Sequence, residues 1–398
     1  MVVEQRGLMN AQSPALRRVV VYTRRQLTQC SHWPHAFATE RKDSRYYELV
    51  EDTIHREFDY RYFAIKDSTG TVCAIQPFFV LDLDLLAGIG PKLGPIIDVV
   101  RRAFPRFMRM RTLMVGSVAG EGHLDSEEIF SRCVSTQALA SAIMEHARRL
   151  RVSLVVLKEF PAKYRAALNC FVRLGFTRVP SMPMTRLDIN YSCFEEYMKY
   201  ALNSATRTKL RRKFHAAACG PRIEMSVVGD VTSIIDDVYP LYLSVYNRSK
   251  LHFEKLTKEY FCGLGTRMPD KVRFFVWRQR GGIVAFAVCM IGGEALYAEY
   301  IGLDYAVALD LHLYHYAYRD IISWAIANGY KEFRSSGLNY DPKLHLRHLL
   351  DPIDLYVRHR SGIPNMALRV LLPWIEPTRY DKTLRKFANY DELWDAKG

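Results

Sequence analysis

The stretch LYAEYIGLDYAVALDLHLYHYAYRDIISWAIANGYKEFRSSG (296–337) predicts a strand, a loop, a helix and a second strand. A helix that joins two neighbouring strands makes them parallel, so this unit predicts a crossover within a sheet. Polar side chains are dense among the apolar residues of this unit and just after it, which indicates a site rather than a scaffold. They are Glu299, His312, His315, Tyr318, Arg319, Arg334, Lys343 and Arg347.

The same order of elements occurs twice along the chain: helix, hairpin, strand, helix, strand, helix, strand. GTVCAIQPFFV (70–80) and GGIVAFAVCMI (281–291) take the same place in the two halves, although few residues are identical. We therefore predict an α/β fold with mixed sheets, built as two tandem domains. The predicted parts are a loose arm at 1–45, which includes a strand Arg18–Tyr22, a first domain at 46–190, a second domain at 191–360 that opens with a basic helix Phe194–Ala218, and a tail at 361–398. Apolar periodicity also predicts strands at Tyr60–Lys66, Thr71–Val80, Val152–Lys158 and Leu296–Leu303 and a short helix at Lys343–Leu350.

Composition narrows the class of protein. Of the 398 residues, 49% are hydrophobic, which predicts packed cores and excludes a disordered chain. The formal net charge of +14 favours an anionic partner, either a nucleotide, RNA or an anionic membrane surface, and we expect no DNA partner. The eight cysteines form no CxxC pair and keep no metal-ligand spacing, so we predict no metal site.

The sequence also predicts where the protein works. The first 18 residues have no apolar core of the kind that secretory signals need, and no apolar run reaches the roughly 18 residues of a spanning helix. We therefore expect a cytoplasmic protein. The tail segment 363–375 is amphipathic; packing on the second domain is favoured over contact with the membrane surface, and the second alternative stays open.

Four stretches carry a resemblance to a known superfamily. They are LRVSLVVLKEF (150–160) with LGFTR (174–178), the junction 184–217, LYAEYIGLDY (296–305) with LDLHLYHYAY (309–318), and ANGYKEFRSSG (327–337) with KLHLRHLLDP (343–352). Their order and spacing resemble the GNAT acyltransferase superfamily, and the two copies resemble the Fem-type aminoacyltransferases and BioF2-like families. The resemblance covers about residues 45–360. It implies transfer of an acyl group to an amine or hydroxyl acceptor, which is a small molecule or linked to a lipid.

The donor remains open between two classes. GNAT enzymes usually hold the CoA diphosphate on a glycine-rich loop at a helix start. The second half has DYAVALD (304–310) there, without glycine and with two acids. The first half has GSVAGEGH (116–123), where Gly120 and Gly122 are candidates to bind the donor and Glu121 opposes a phosphate. We expect no permanently bound cofactor. Acyl-CoA is the co-substrate that the resemblance implies. The net charge and the basic cluster at Arg207–Lys213 favour a tRNA donor instead; the alternative is that this cluster is only a solvated helix face.

Two residues are candidate catalytic groups. Glu299 lies in an otherwise apolar strand, where burial raises the pKa of a carboxylate toward the range of a base; the alternative is a buried ion pair with Arg334. In the resembling family the helix after this strand begins LHFE, and His312 falls on that histidine. The resemblance and the helical spacing add candidate substrate-binding residues, which are Tyr297, His315, Tyr318, Arg319, Arg334 and Lys343.

Three functions follow from these features. The first is an acyltransferase of the GNAT type with Glu299 or His312 as the base. The second is a Fem-type aminoacyltransferase that uses charged tRNA in cell-wall or lipid modification. The third is a catalytically inactive GNAT fold that binds RNA, a lipid surface or a partner protein.

Overall fold

The fold consists of two seven-stranded mixed sheets and twelve helices in the described part of the chain. The structure is a computed structural model, and it describes residues 18–55, 57–84, 109–131, 133–249 and 253–395, together with Arg102. The strands, in chain order, are β1 Arg18–Tyr22, β2 Asp59–Lys66, β3 Val72–Asp84, β4 Arg109–Val115, β5 Leu154–Pro161, β6 Thr177–Pro180, β7 Met184–Asp188, β8 Ile223–Val228, β9 Val272–Gln279, β10 Gly282–Gly292, β11 Ala295–Leu303, β12 Glu332–Ser335, β13 Leu349–Asp351 and β14 Ile353–His359.

The helices cover the faces of these sheets. They are α1 Arg24–Leu27, α2 Ser44–Thr53, α3 Glu127–Ser131, α4 Cys133–Arg149, α5 Arg165–Arg173, α6 Phe194–Ala201, α7 Ser204–Ala218, α8 Ile235–Tyr246, α9 Lys258–Arg267, α10 Leu313–Ala327, α11 Tyr340–His345 and α12 Gly362–Ile375. In the ranges that the structure describes, no helix combines the length and apolarity that crossing a bilayer requires.

The two sheets have the same plan and exchange one strand each. The first sheet has the order β1-β2-β3-β4-β5-β14-β6 and the second β13-β7-β12-β11-β10-β9-β8. In each sheet one central pair is parallel, β4 with β5 and β11 with β12, and a helix crosses between its strands. The predicted duplication and mixed sheets are confirmed. In each sheet, the strand next to one edge comes from the other half of the chain. It is β14, between β5 and β6, in the first sheet and β7, between β12 and β13, in the second.

One hydrophobic core runs between the two halves. It joins Tyr46, Phe79 and Met114 of the first half to Tyr260 and Phe286 of the second. Burial of such side chains stabilises folded proteins by about 25 cal/mol for each Å² of apolar surface removed from water. Because side chains of both halves share this core, the halves hold each other in place, and the loops between them form a buried polar layer.

The structure differs from the sequence predictions at four places. The single helix predicted at Phe194–Ala218 is two helices, because Asn203 caps α7 by accepting the Thr206 backbone N–H at 2.8 Å. The helix predicted at Lys343–Leu350 is wrong: α11 ends at His345 and β13 follows. Strand β8 was not predicted.

The fourth difference concerns the arm. Its first 17 residues lie outside the described part of the chain, and β1 confirms the predicted strand. After β1 the prediction of a loose segment is wrong, since Trp33, Phe37, Arg41 and Lys42 are buried. A few aromatic anchors, spaced without helical or strand periodicity, are enough to fix an irregular segment on the sheet.

Candidate functional site

Glu299 lies at a β-bulge in the centre of the second sheet. Val288 of β10 pairs with Tyr300 and Cys289 pairs with Ala298, so Glu299 is the extra residue of β11. Bulges redirect side chains and recur beside active sites. Here the buried carboxylate points to the segment before α2, where Arg41 Nε lies 2.7 Å and Lys42 Nζ 3.5 Å from its oxygens. The partner of Glu299 is therefore this pair of cations and not Arg334.

A second carboxylate, from the first half, completes a four-charge cluster. Glu121 follows β4, forms an ion pair with Arg41, and accepts a hydrogen bond from Lys42 Nζ at 2.8 Å. Two cations and two carboxylates thus meet in the buried layer. Burial works to raise the pKa of Glu121, but Arg41 and Lys42 hold that pKa well below its usual value. Glu121 stays ionised at neutral pH and serves as a structural charge rather than as a base.

His123 connects this cluster to a second group of acids. Its Nε2 lies 2.9 Å from Glu121 Oε1, and its Nδ1 lies 3.3 Å from both Glu40 Oε2 and the Tyr164 hydroxyl. Lys163 donates to Glu40 at 2.7 Å. Both ring nitrogens of His123 thus lie against carboxylate oxygens, which only accept hydrogen bonds, so the imidazole ring is the donor that links Glu121 and Glu40.

A cavity of about 440 Å³ opens between the two halves beside this histidine. Its wall combines cationic and acidic side chains with few apolar ones. The titratable lining residues are Glu40, Arg41, Glu121, His123, Lys163, Arg165, Arg186, Tyr297, Arg334, Asp351, Glu392 and Asp395. Such a wall suits a ligand that carries charge of both signs.

The cationic end of the cavity is built by sheet register. Arg334 on β12 lies opposite Arg186 on β7, and Tyr297 on β11 is the next residue in the same row. Arg334 donates to Asp351 at 2.9 Å, and Arg41 stacks 3.8 Å above the Tyr297 ring centroid. Arg186 Nε is buried, and no hydrogen-bond partner for it occurs in the described residues. A buried guanidinium N–H without an acceptor is a ready donor to an anionic ligand group.

The two helix histidines lie elsewhere, where α10 packs on α7. Lys213 Nζ donates to His315 Nε2 at 2.8 Å. Burial, with the Lys213 charge, lowers the pKa of His315 to about 4. Burial also lowers the pKa of His312, which precedes α10 with a left-handed backbone, and neither histidine lines the cavity. Arg319 on the same helix pairs with Asp320 at 2.7 Å and stacks on Tyr316.

Tyr318 and Lys343 are buried inside the second domain. Tyr318 stacks on Tyr314 with 4.8 Å between ring centroids. Lys343 Nζ donates to the Ser336 carbonyl at 2.5 Å and to the Leu338 carbonyl at 3.0 Å, and burial lowers the pKa of Lys343 to about 7. These contacts hold the loop after β12, so both side chains support the fold around the cavity without lining it.

The glycine loop after β4 is filled by the protein's own side chains. A Cβ at Gly120 would overlap Lys42 Nζ, and one at Gly122 would lie 2.8 Å from the Lys158 carbonyl oxygen. Lys158 Nζ donates to the Gly120 carbonyl at 2.8 Å. In the second half, the Asp304 carboxylate accepts the Ala306 N–H at 3.0 Å. Neither loop presents an open cradle for a diphosphate in this conformation.

The structure thus brings together Tyr297, Arg334 and, through Arg41, Glu299. The sequence predictions missed the residues that the other parts of the chain contribute: Glu40, Arg41, Lys42, Glu121, His123, Arg186 and Asp351. A signal existed for two of them, because Glu121 and His123 interrupt a glycine-rich loop directly after a buried strand. Within the described ranges there is no group of three or more His, Cys, Asp or Glu side chains that could hold a metal ion.

Comparison with solved structures shows which known fold the chain shares. The C-terminal domain of a lysylphosphatidylglycerol synthetase from Agrobacterium fabrum, a protein described as putative in that structure, aligns with a TM-score of 0.50 and 13% identity, over 87% of this chain and 95% of that one. FemX aligns with a TM-score of 0.50 and 11% identity, over 83% and 94%. The shared fold is a tandem GNAT-like fold, as predicted. Among curated proteins, none matches this sequence.

The family follows from the sequence itself. The model of the FemAB-like family, described as peptidoglycan biosynthesis/recognition, matches residues 118–344, which is more than half of the chain. The chain belongs to this FemAB-like family, and the predicted Fem-type resemblance is confirmed. It is a Fem-like protein of the GNAT transferase fold.

Proposed function

We propose that this protein transfers an acyl or aminoacyl group onto an amine that binds in the cavity between its two halves. The observation that carries the proposal is His123, which lines the cavity and is held between two carboxylates, with Nε2 2.9 Å from Glu121 Oε1 and Nδ1 3.3 Å from Glu40 Oε2. A histidine that is oriented by carboxylates at the edge of a substrate cavity is a common proton-transfer group for an attacking amine.

The transfer proceeds by direct attack. The amine nitrogen attacks the carbonyl carbon of an ester or thioester, a C–N bond forms, and the C–O or C–S bond breaks. The acceptor enters as an ammonium group and first releases one proton to water. The proton that the attacking nitrogen still has to lose then passes through His123 to the leaving oxygen or sulfur. Glu40 Oε2, 3.3 Å from Nδ1, accepts the N–H of the imidazolium. Glu299 supports this arrangement from outside the cavity by holding Arg41 at 2.7 Å.

The acceptor is an amine that also carries a carboxylate. In the cavity wall, Glu40, Glu392 and Asp395 attract its ammonium group, and Arg186 and Arg334 bind the carboxylate. Amino acids and peptides have this charge pattern, whether free or linked to a lipid. A purely apolar amine or alcohol would leave these charges unpaired, at a cost of several kcal/mol.

Two donors fit the chemistry. Acyl-CoA is the usual donor of GNAT enzymes, but both loops that would hold its diphosphate are occupied by Lys42, Lys158 or Asp304. An aminoacyl ester of tRNA needs no such loop. Helix α7 exposes Lys209, Arg211 and Arg212, which supply a positive surface for a nucleic-acid backbone, and these observations favour the tRNA donor.

The test compares donors and histidines together. Purified protein is incubated with a lysine-containing peptide and either charged tRNA or acyl-CoA, and product is measured by mass spectrometry. We expect transfer from charged tRNA and a loss of about 100-fold or more in His123→Gln. His312→Gln is the matched control and retains its rate, because His312 lies outside the cavity.

Three results would contradict the proposal. Full activity in His123→Gln removes the assigned base. Loss in His312→Gln with a normal melting temperature moves the chemistry to the face of α10. Tight, salt-sensitive tRNA binding without transfer to any amine makes the protein a binding module of this fold.

A further inference from the structure

The outer face of α12 is apolar along its whole length. Its exposed members recur with helical spacing, and their exposure ranges from 52% for Leu371 to 85% for Ile363. They are Ile363, Met366, Val370, Leu371, Trp374 and Ile375. A helix on the surface of a globular protein normally turns charged and polar residues to water, so this face needs a partner.

The inner face of the helix fixes this orientation. Leu368 and Leu372 pack against the core that the two halves share. Asn365 donates to the Gly175 carbonyl at 3.0 Å and accepts the His359 N–H at 2.9 Å. Because the opposite side is anchored by these contacts, a simple rotation cannot bury the apolar face. The packing that the sequence favoured thus applies to one side of the helix only, and its partners are β6 and β14 of the first sheet.

The charge around the helix selects the kind of partner. From Arg358 to Lys386 the sequence has seven Arg and Lys residues and two acids, Glu376 and Asp381. Glu376 is buried, and the Asp381 carboxylate accepts the backbone N–H groups of Thr383 and Leu384 at 2.7 and 2.9 Å. The cations Arg360, Arg369, Lys382 and Lys386 are exposed. An apolar helix face with exposed cations on the helix and in the adjoining sequence is complementary to a bilayer surface with anionic headgroups.

We propose that α12 docks on an anionic lipid surface, with its apolar face below the headgroups and the surrounding cations at the phosphate level. A symmetric pair of two copies fits less well, since two α12 helices face to face would bring like charges of both rims together. The proposal concerns this surface alone and is independent of the reaction assigned to the cavity.

Vesicle binding tests the proposal. The full chain is mixed with large vesicles of phosphatidylcholine, or of equal parts phosphatidylcholine and phosphatidylglycerol, and bound protein is measured by flotation. We expect binding to the anionic vesicles, weakened by added salt, and little binding to the neutral ones. Tryptophan emission shifts to the blue on binding and is quenched by brominated lipid, and Trp374→Tyr reduces both signals.

Matched variants distinguish binding through the apolar face of α12 from nonspecific adsorption to vesicles. Val370→Glu with Leu371→Glu lowers the vesicle partition coefficient at least tenfold, at an unchanged melting temperature. Leu309→Glu is the control, because Leu309 is 74% exposed on a loop far along the chain, and it leaves partitioning unchanged. Equal binding of the double variant and the wild type overturns the proposal. So does a dimer of the wild type that the double variant dissolves, since the face then serves self-association.

Discussion

The loops after β4 and β11 hold equivalent places in the two sheets and have opposite contents. The first is buried and carries Glu121 and His123 into the layer between the halves. The second is partly exposed, with Leu309 at 74%, and its Asp304 carboxylate accepts the Ala306 N–H of its own turn. A parallel strand pair opens the sheet at the same point in each half. The sheet thus provides the position, while the segment that covers the loop, here Glu40–Lys42, decides whether it becomes a site.

The largest effect is expected where the buried charges depend on each other. Glu121→Gln leaves Arg41 and Lys42 with one carboxylate in place of two, so we expect a loss of about 3 kcal/mol in the free energy of unfolding. Asp304→Asn is the matched change in the other loop, with an expected loss below about 1 kcal/mol. Urea unfolding of both variants measures the difference. Equal losses would show that the two loops are not distinguished by burial.

The next effect tests the close packing of the first loop. Gly122→Ala places a Cβ 2.8 Å from the Lys158 carbonyl oxygen and 2.9 Å from the Phe160 ring, so backbone must move. We expect a destabilisation of about 2 kcal/mol. Gly229→Ala, where nothing lies within 4 Å of the added Cβ, is the control and costs less than about 1 kcal/mol. A wild-type melting temperature for Gly122→Ala would mean that this loop yields easily.

The pH dependence of stability tests the role of Glu121 in the first loop. Arg41 and Lys42 outweigh burial and keep that pKa below its ordinary value of 4.5, so the ionised form favours the folded state. This stabilisation is complete above pH 4.5 and is lost as the pH falls through the folded pKa, by about 1.4 kcal/mol for each unit of depression. Urea midpoints measured from pH 7 to pH 3 should fall more steeply for the wild type than for Glu121→Gln. Parallel curves would assign the acid sensitivity to other carboxylates.

The smallest effect belongs to the histidine contact of the second half. Lys213 is partly exposed where it donates to His315, so Lys213→Met is expected to change stability by less than about 0.5 kcal/mol. Thermal unfolding of this variant and of His315→Gln checks the value. A loss above 2 kcal/mol would show that α7 and α10 are held by this contact.

Most of the fold follows from the sequence because periodicity is local. Alternating and β-branched runs located β2, β3, β5 and β11 within a few residues. The order of the strands within the sheets did not follow. Which strand lies beside β5 depends on pairing with β14, almost 200 residues further on, and no local pattern contains that information.

Only part of the site could be predicted from the sequence, again because a local pattern does not show which residues become buried together. Glu299 and Tyr297 were found because a charged residue in an apolar strand is conspicuous. Arg41 and Lys42 were not, since two cations in an irregular polar segment look the same whether they are solvated or buried. Their burial depends on Trp33 and Phe37, which anchor the segment to the sheet. His312 and His315 were conspicuous in the sequence, yet α10 turns them away from the cavity.

The exchange of β7 and β14 has a consequence for how this protein is made. On the ribosome, β1 to β6 emerge first, but the gap between β5 and β6 closes only when residues 353–359 follow. Until then the nascent first sheet keeps two unpaired inner edges, which invite pairing with other chains. A ribosome that stalls before residue 350 therefore leaves both sheets incomplete, so the two halves fold, or are degraded, only together.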